Sequence, residues 1–163
     1  MEKLKKHQTF LFVDTAKGET NEYNWARVGK STVFDLTLNA KTEERAYIED
    51  ETPTDELMYY KPLISQELAT FKGDKAFDAI YEDLYTLPVG EGAKKKALLV
   101  FPGNVGTDDT PKMRAWLVDT TCILKNLNMV DEKILFDLNF GGNIERCEVT
   151  ITNGQPSIVK AAA

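Results

Sequence analysis

The sequence predicts a mainly β protein with one helix, arranged as a β-sandwich or barrel that the helix flanks. Short apolar or alternating segments recur along the chain between clusters of Gly, Pro, Asn and Asp, which is typical of strands joined by turns. Only one segment carries apolar residues at helical spacing. Strands and helices do not alternate as they would in a parallel α/β sheet. With 163 residues, 42% of them hydrophobic, we expect one domain over residues 1–163.

The first strands are indicated by apolar content and by alternation. Residues 9–13 are apolar and lead into a long polar loop through residues 18–24. Residues 31–38 alternate between two faces, which predicts a half-buried strand. Its apolar-side residues are Thr32, Phe34, Leu36 and Leu38.

An acidic segment follows over residues 39–56, with Pro53 interrupting it. The segment contains seven carboxylates and only two basic side chains. We therefore expect an exposed excursion with a short strand near residues 45–48. Residues 57–64 and 65–71 then resume extended character. Because Pro62 cannot donate a ladder hydrogen bond, they form one bent strand or two short ones.

The single helix is predicted after Gly73, with Asp74 as its N-cap. Its apolar residues recur at helical spacing, and Pro88 and Gly90 end it. These apolar residues are Phe77, Ile80, Tyr81 and Leu84.

Four strands are predicted after the helix, at residues 97–101, 115–124, 134–140 and 144–151. Gly141 and Gly142 fit a tight hairpin turn between the last two. The basic run at residues 94–96 enters the first of these strands. It is either a solubilising strand edge or a contact for acidic loops of a neighbouring subunit.

No residue pattern predicts catalysis, a cofactor or a metal site, and we expect a protein that is not an enzyme. His7 is the only histidine and lies in a polar start. The run from Gly29 to Thr32 has the end of a phosphate-binding loop, but a strand and not a helix follows it. Cys122 and Cys147 have no Cys or His at ligand spacing, so buried free thiols are the favoured interpretation.

The net charge of −6 argues against tight DNA binding, because a basic patch is missing at the level of the whole chain. Acidity is compatible with a channel that conducts DNA, since its wall should repel phosphates. No apolar run approaches the ~20 residues that cross a bilayer, so no membrane partner is expected.

Four short segments, taken in order and spacing, resemble the major tail proteins, or tail tube proteins, of phages with long tails. The resemblance covers about the middle half of the chain and is closest to the noncontractile tails of phages that infect Gram-positive bacteria. The segments are Trp-Ala-Arg-Val-Gly-Lys at residues 25–30, Glu-Glu-Arg-Ala-Tyr-Ile at 43–48, Tyr-Lys-Pro-Leu-Ile at 60–64, and Phe-Lys-Gly-Asp-Lys-Ala-Phe at 71–77.

The resemblance implies the tail tube fold, two packed antiparallel sheets with a flanking helix and a long stacking loop. It implies a structural virion protein of the phage tail, assembled in the host cytoplasm as hexameric rings that stack into a tube. The implied partners are further copies of the chain, a tail initiator or distal tail protein, and a terminator protein. DNA would pass through as cargo without specific binding, and no cofactor is implied.

Two groups of residues receive roles from this resemblance. Residues 39–56 lie where the family's inter-ring loop lies. The stacking candidates within it are Glu43, Glu44, Arg45, Tyr47, Glu49, Asp50 and Glu51. The candidates for the lumen wall, chosen by strand alternation, are Asp35, Asp119, Asp137 and Glu148.

Two alternatives stay open at the level of sequence. The first is a monomeric β-sandwich binding module that contacts a protein or a glycan through residues 39–56 or its aromatic side chains. The second is a hydrolase or metal site built on adjacent acids such as Asp108 and Asp109, for which nothing fixes two carboxylates at a working separation.

Overall fold

The computed structural model describes residues 1–16 and 23–160. Most of the polar loop predicted over residues 18–24 therefore lies outside the described residues. The described part forms ten strands and one α-helix, α1 (Lys75–Thr86). The strands are β1 (Phe10–Asp14), β2 (Trp25–Arg27), β3 (Asp35–Thr37), β4 (Lys41–Arg45), β5 (Thr54–Tyr59), β6 (Leu63–Ala69), β7 (Lys94–Val100), β8 (Met113–Asn128), β9 (Lys133–Thr152) and β10 (Gln155–Lys160).

The prediction of a mainly β chain with one helix is confirmed. A large antiparallel sheet has the strand order β2-β1-β7-β8-β9-β6-β3, and β10 pairs with β9 off this path. A second, small sheet consists of the hairpin β4-β5. Pro62 separates β5 from β6, so the segment around it forms two strands, one in each sheet.

The strands β8 and β9 form one long ribbon, and this corrects the hairpin predicted at Gly141 and Gly142. Both glycines lie inside β9, which spans 20 residues. The register moves from Leu117 opposite Glu145 to Asp119 opposite Gly141, so two steps along β8 match four along β9. The glycines therefore form a bulge, where Gly142 takes a φ of +65°.

Two further strand predictions were wrong in detail, and the strands β2 and β10 were not predicted. The strand expected over residues 31–38 shrinks to β3, because its ladder with β6 is interrupted between an isolated bridge at Ser31 and the pairing that begins at Asp35. The strand expected near residues 45–48 is β4, four residues earlier, since the pairing with β5 ends at Arg45. The strand β10 was missed, although Asn153 and Gly154 before it have the positive φ values of a hairpin turn.

The core consists of two apolar clusters on opposite faces of the large sheet. Along β7, Ala97 and Leu99 belong to one cluster, whereas Leu98 and Val100 belong to the other. The first cluster is covered by α1, whose Phe77 and Ile80 join it. The second cluster contains buried side chains from β1, β2, β7, β8 and β9, and Ile158 of β10 packs against it, so strands of the same sheet enclose it.

The helix α1 forms where the sequence predicts it, and local interactions explain both of its ends. Asp74 is the N-cap residue, although its side chain makes no capping hydrogen bond. Leu87 ends the helix in the left-handed conformation and donates its N–H to the carbonyl of Asp83. Asp83 in turn pairs with Lys95 at 2.8 Å, which ties the helix to β7.

Candidate assembly surfaces

One face of the large sheet is polar and open, and the strand register places three lumen candidates on it. Asp35 is opposite Ser65, Ser65 is opposite Asp137, and Asp137 is opposite Ile123. Residues directly opposite each other share a face of the sheet. Asp119 lies four positions before Ile123 on β8, hence on the same face. We call this surface the polar face.

Glu148 lies on the other side of the sheet. It is opposite Arg114, which shares a face with Trp116 and Val118, and these two side chains pack in the cluster under α1. The four lumen candidates therefore cannot line one surface. Alternation along a single strand could not reveal this, because it does not relate the faces of different strands.

The acidic side chains of the polar face are mostly neutralised by lysines. Asp119 pairs with Lys96 at 2.9 Å, and Asp137 pairs with Lys125 at 2.7 Å. Burial lowers the pKa of Lys96, but the hydrogen bond and charge of Asp119, together with the charges of Tyr23 and Glu145, raise this pKa overall. Asp35 has no ion-pair partner among the described residues. The face is therefore polar with a nearly balanced charge.

Two strand edges at opposite sides of this face have no partner strand among the described residues. The strand β3 pairs with β6 on one side only. On β8, pairing with β7 stops at Thr121, so residues 122–128 pair only with β9. Unpaired edges of this kind bind a further strand readily.

A groove of about 360 Å³ runs beside the β8 edge on the helix side of the sheet. Its walls are the link after α1 and the first residues of the unpaired edge. Leu87 and Val89 in this link are 66% and 85% exposed, which leaves large apolar side chains in solvent. The apolar lining residues are Leu87, Pro88, Val89, Ala93, Cys122, Ile123 and Leu124.

The hairpin β4-β5 carries the predicted stacking residues and is exposed along almost its whole length. Arg45 bridges its two strands, with Glu43 at 3.3 Å and Glu56 at 2.7 Å. Tyr47 donates its hydroxyl to Glu56 at 3.1 Å, and this hydrogen bond raises the pKa of Tyr47. Glu44 lies on β4, and Glu49, Asp50 and Glu51 lie in the exposed turn between the strands.

The lysines at residues 94–96 are each paired with a carboxylate of the same chain. Lys94 contacts Glu91 at 2.8 Å, and the other two pair with Asp83 and Asp119. They line a groove of about 1020 Å³, and these ion pairs leave none of its three lysines free for an anionic ligand. The three lysines of this basic run therefore form ion pairs within their own chain. Neither interpretation from the sequence included such pairs.

The described residues hold no cluster of three or more His, Cys, Asp or Glu side chains that could bind a metal. Cys122 and Cys147 are buried free thiols, as predicted. Burial raises the pKa of Cys122 to about 12. No helix in the described ranges has the length and apolar character needed to cross a membrane.

Comparison with known proteins identifies the fold. No protein-family model and no curated protein matches the sequence. A sheath/tube terminator of an extracellular contractile injection system, PVC, in its extended state, matches with a TM-score of 0.50 at 9% identity, over 90% of this chain and 97% of that chain. The two chains share a fold. A chain of the anti-feeding prophage (AFP) baseplate gives a TM-score of 0.46 at 8% identity, over 90% of this chain and 96% of that chain.

The sequence did not predict the two strand edges or the groove. Both depend on which distant segments pair, namely β3 with β6 and β8 with β9. The alternation of Phe34, Leu36 and Leu38 was visible in the sequence, but the exposure of Phe34 and Leu38, 45% and 42%, follows only from the structure. Exposed apolar residues beside an unpaired strand edge are compatible with a surface that another chain covers.

Proposed function

We propose that the chain is a subunit of a phage tail tube. Six copies form a ring, and the rings stack into the conduit through which DNA leaves the virion. The protein is a structural component of the tail, assembled in the host cytoplasm. The observation that carries the proposal is the pair of unpaired strand edges at opposite sides of the polar face.

The strand directions support ring closure. The strand β8 is antiparallel to β9, β9 to β6, and β6 to β3. Hence β3 runs opposite to β8, and β3 of one copy pairs antiparallel with β8 of a copy rotated about the ring axis. Repetition of one such heterologous contact gives a closed ring when the rotation closes, and closure removes both edges.

In such a ring, the polar face forms the lumen wall. It presents Asp35, Asp119 and Asp137, the last of which is nearly buried in its pair with Lys125. On this wall Lys96 and Lys125 are paired with carboxylates, so positive and negative charges are nearly balanced. Such a wall gives the phosphates of DNA little to bind. DNA is thus a passing cargo, and the wall needs no sequence recognition.

The hairpin β4-β5 makes the contact between rings. It is the second, separate sheet and projects exposed acidic and aromatic side chains from Lys41 to Tyr59. The ion pair between Arg45 on β4 and Glu56 on β5 stabilises the hairpin. Little conformational entropy is therefore lost when the next ring binds. An initiator or distal tail protein at one end of the tube and a terminator at the other would bind the same surfaces.

A terminal ring component is the second candidate, and the likeness to a sheath/tube terminator favours it. Such a component forms rings through the same strand edges but does not stack on itself. A monomeric binding module, by contrast, needs no pairing between copies. The three functions therefore differ in assembly: tubes, single rings or monomers.

The experiment replaces residues 41–59 with a short Gly-Ser linker and compares the variant with the unmodified chain by sedimentation velocity and electron microscopy. Since the hairpin is a sheet of its own, the variant should fold and form rings that do not stack, whereas the unmodified chain forms tubes. A variant with a shortened loop at residues 103–110 is the control and should still form tubes. Tubes of normal length from the hairpin variant would contradict the stacking role.

A further inference from the structure

Two exposed apolar residues, Phe34 and Leu38, directly flank the edge strand β3. Leu36 within the strand is opposite Ile64 and packs against the cluster under α1. Because Phe34 and Leu38 each lie two positions from Leu36, alternation along an extended chain assigns them to the same side. Isolated exposed apolar residues are common, but here they flank an unpaired strand edge.

The groove beside β8 opens on this same side of the sheet. Leu36, Ile64, Leu138 and Cys122 form one row across β3, β6, β9 and β8. The next row ends at Leu124, which is opposite Phe136 on β9. Cys122 and Leu124 are wall residues of the groove. The groove therefore lies at the level of Phe34, at the far edge of the same four strands.

We propose that Phe34 of one copy inserts into the groove between Leu87–Val89 and Leu124 of the next copy and anchors the contact within the ring. The inference rests on the proposed ring. Pairing of the β3 edge with the β8 edge at the same level places Phe34 beside Leu124, on the side where the groove opens. An aromatic side chain in a desolvated pocket is a typical interface anchor.

A second copy is the occupant that the surfaces fit. The groove lies beside an unpaired edge, and the same chain offers an unpaired edge of opposite direction with apolar side chains on the matching side. An unrelated peptide would have no reason to match both the strand direction and the side on which the apolar residues lie.

The first experiment compares Phe34→Ser with Val105→Ser, which removes a side chain of similar exposure (47%) from a distant loop. Loss of the anchor should weaken each contact by about 10-fold or more. Since a ring needs every contact, Phe34→Ser should sediment as a monomer where Val105→Ser forms rings. Equal ring formation by both variants would overturn the anchor and leave the tube intact.

The second experiment works even if Phe34→Ser folds poorly. Chains carrying Phe34→Cys and chains carrying Val89→Cys are mixed under mild oxidation, and disulfide-linked heterodimers are measured. Both native cysteines are replaced by alanine in these chains, because Cys122 is a free thiol that lines the groove. We expect heterodimers well above those from Val105→Cys with Val89→Cys. Equal yields would overturn the contact, whereas a wild-type chain that never associates would overturn the ring and the anchor together.

Discussion

Asp83 and Lys95 show how single residues hold this fold together. Their side chains are 12% and 13% exposed, and their charged atoms lie 2.8 Å apart. A nearly buried ion pair is of limited net benefit, but removal of one partner leaves the other charge desolvated and unpaired. The pair between Asp119 and Lys96 on the polar face is far more exposed and is the natural comparison.

We predict that Asp83→Asn lowers the free energy of unfolding by about 3 kcal/mol, because Lys95 loses its buried partner. Urea denaturation followed by tryptophan fluorescence measures this loss. Asp119→Asn, the exposed control, should cost less than about 1 kcal/mol. Equal losses of unfolding free energy in the two variants would show that burial does not make the Asp83–Lys95 pair more important for stability than the exposed pair.

Cys122 gives a second prediction at this scale. Burial raises its pKa from an ordinary value of 9.0 to about 12, so the thiolate is scarce at pH 8. Each pKa unit changes that fraction tenfold, so alkylation by iodoacetamide at pH 8 should be about 1000-fold slower in the native chain than in urea. Mass spectrometry of the Cys122 peptide measures the rate. Rapid labelling of the native monomer would contradict this burial.

Among the secondary-structure elements, the bulge in β9 changes the register of the long ribbon formed by β8 and β9. It allows one half of β8 and β9 to enclose the second apolar cluster and the other half to carry the polar face. Gly142 makes this possible, because its φ of +65° strains any residue with a Cβ. Gly141 has no such φ, and a Cβ added there would meet the backbone oxygen of Asp119 at 4.0 Å, an ordinary contact distance.

We therefore predict that Gly142→Ala lowers the free energy of unfolding by about 1–2 kcal/mol, the cost of a left-handed conformation for alanine. Gly141→Ala should cost clearly less. Thermal unfolding monitored by circular dichroism distinguishes the two. If both substitutions cost the same, the bulge would not depend on the conformation of Gly142.

Local patterns predicted most elements, and the exceptions have a physical cause. The spacing of Phe77 and Ile80 predicted α1, because a helix must bury one side. Gly141 and Gly142 led to the wrong prediction of a hairpin turn, because glycine at positive φ occurs in both hairpin turns and bulges. The lumen role of the four candidates stays a prediction; Asp35, Asp119 and Asp137 share the polar face, but Glu148 does not, because faces of different strands are related only by their register.

For the whole molecule, a lysine placed on the polar face can be compared with one placed on the opposite face, to test whether the polar face lines the lumen. The variant Asp119→Lys places free positive charge on the proposed wall, where passing phosphates would bind it. Virions with this variant should form normal tails but release DNA more slowly. Glu148→Lys, on the opposite face, adds a lysine and should leave release unchanged.

The kinetics of DNA release, followed by dye fluorescence after receptor addition, measure the difference. Lower salt should enlarge it, since phosphate contacts are screened by ions. Release that is equally fast in all virions, at every salt concentration, would place the polar face outside the lumen. The ring itself would be unaffected by that result.

Electron microscopy of the purified chain, concentrated at moderate salt, would decide whether the subunits form a tube, with symmetry determined from end views. We expect hollow tubes built from six-fold rings, with β3 of each copy paired to β8 of the next. A chain that stays monomeric at every concentration, or that forms assemblies in which both strand edges remain unpaired, would contradict this expectation.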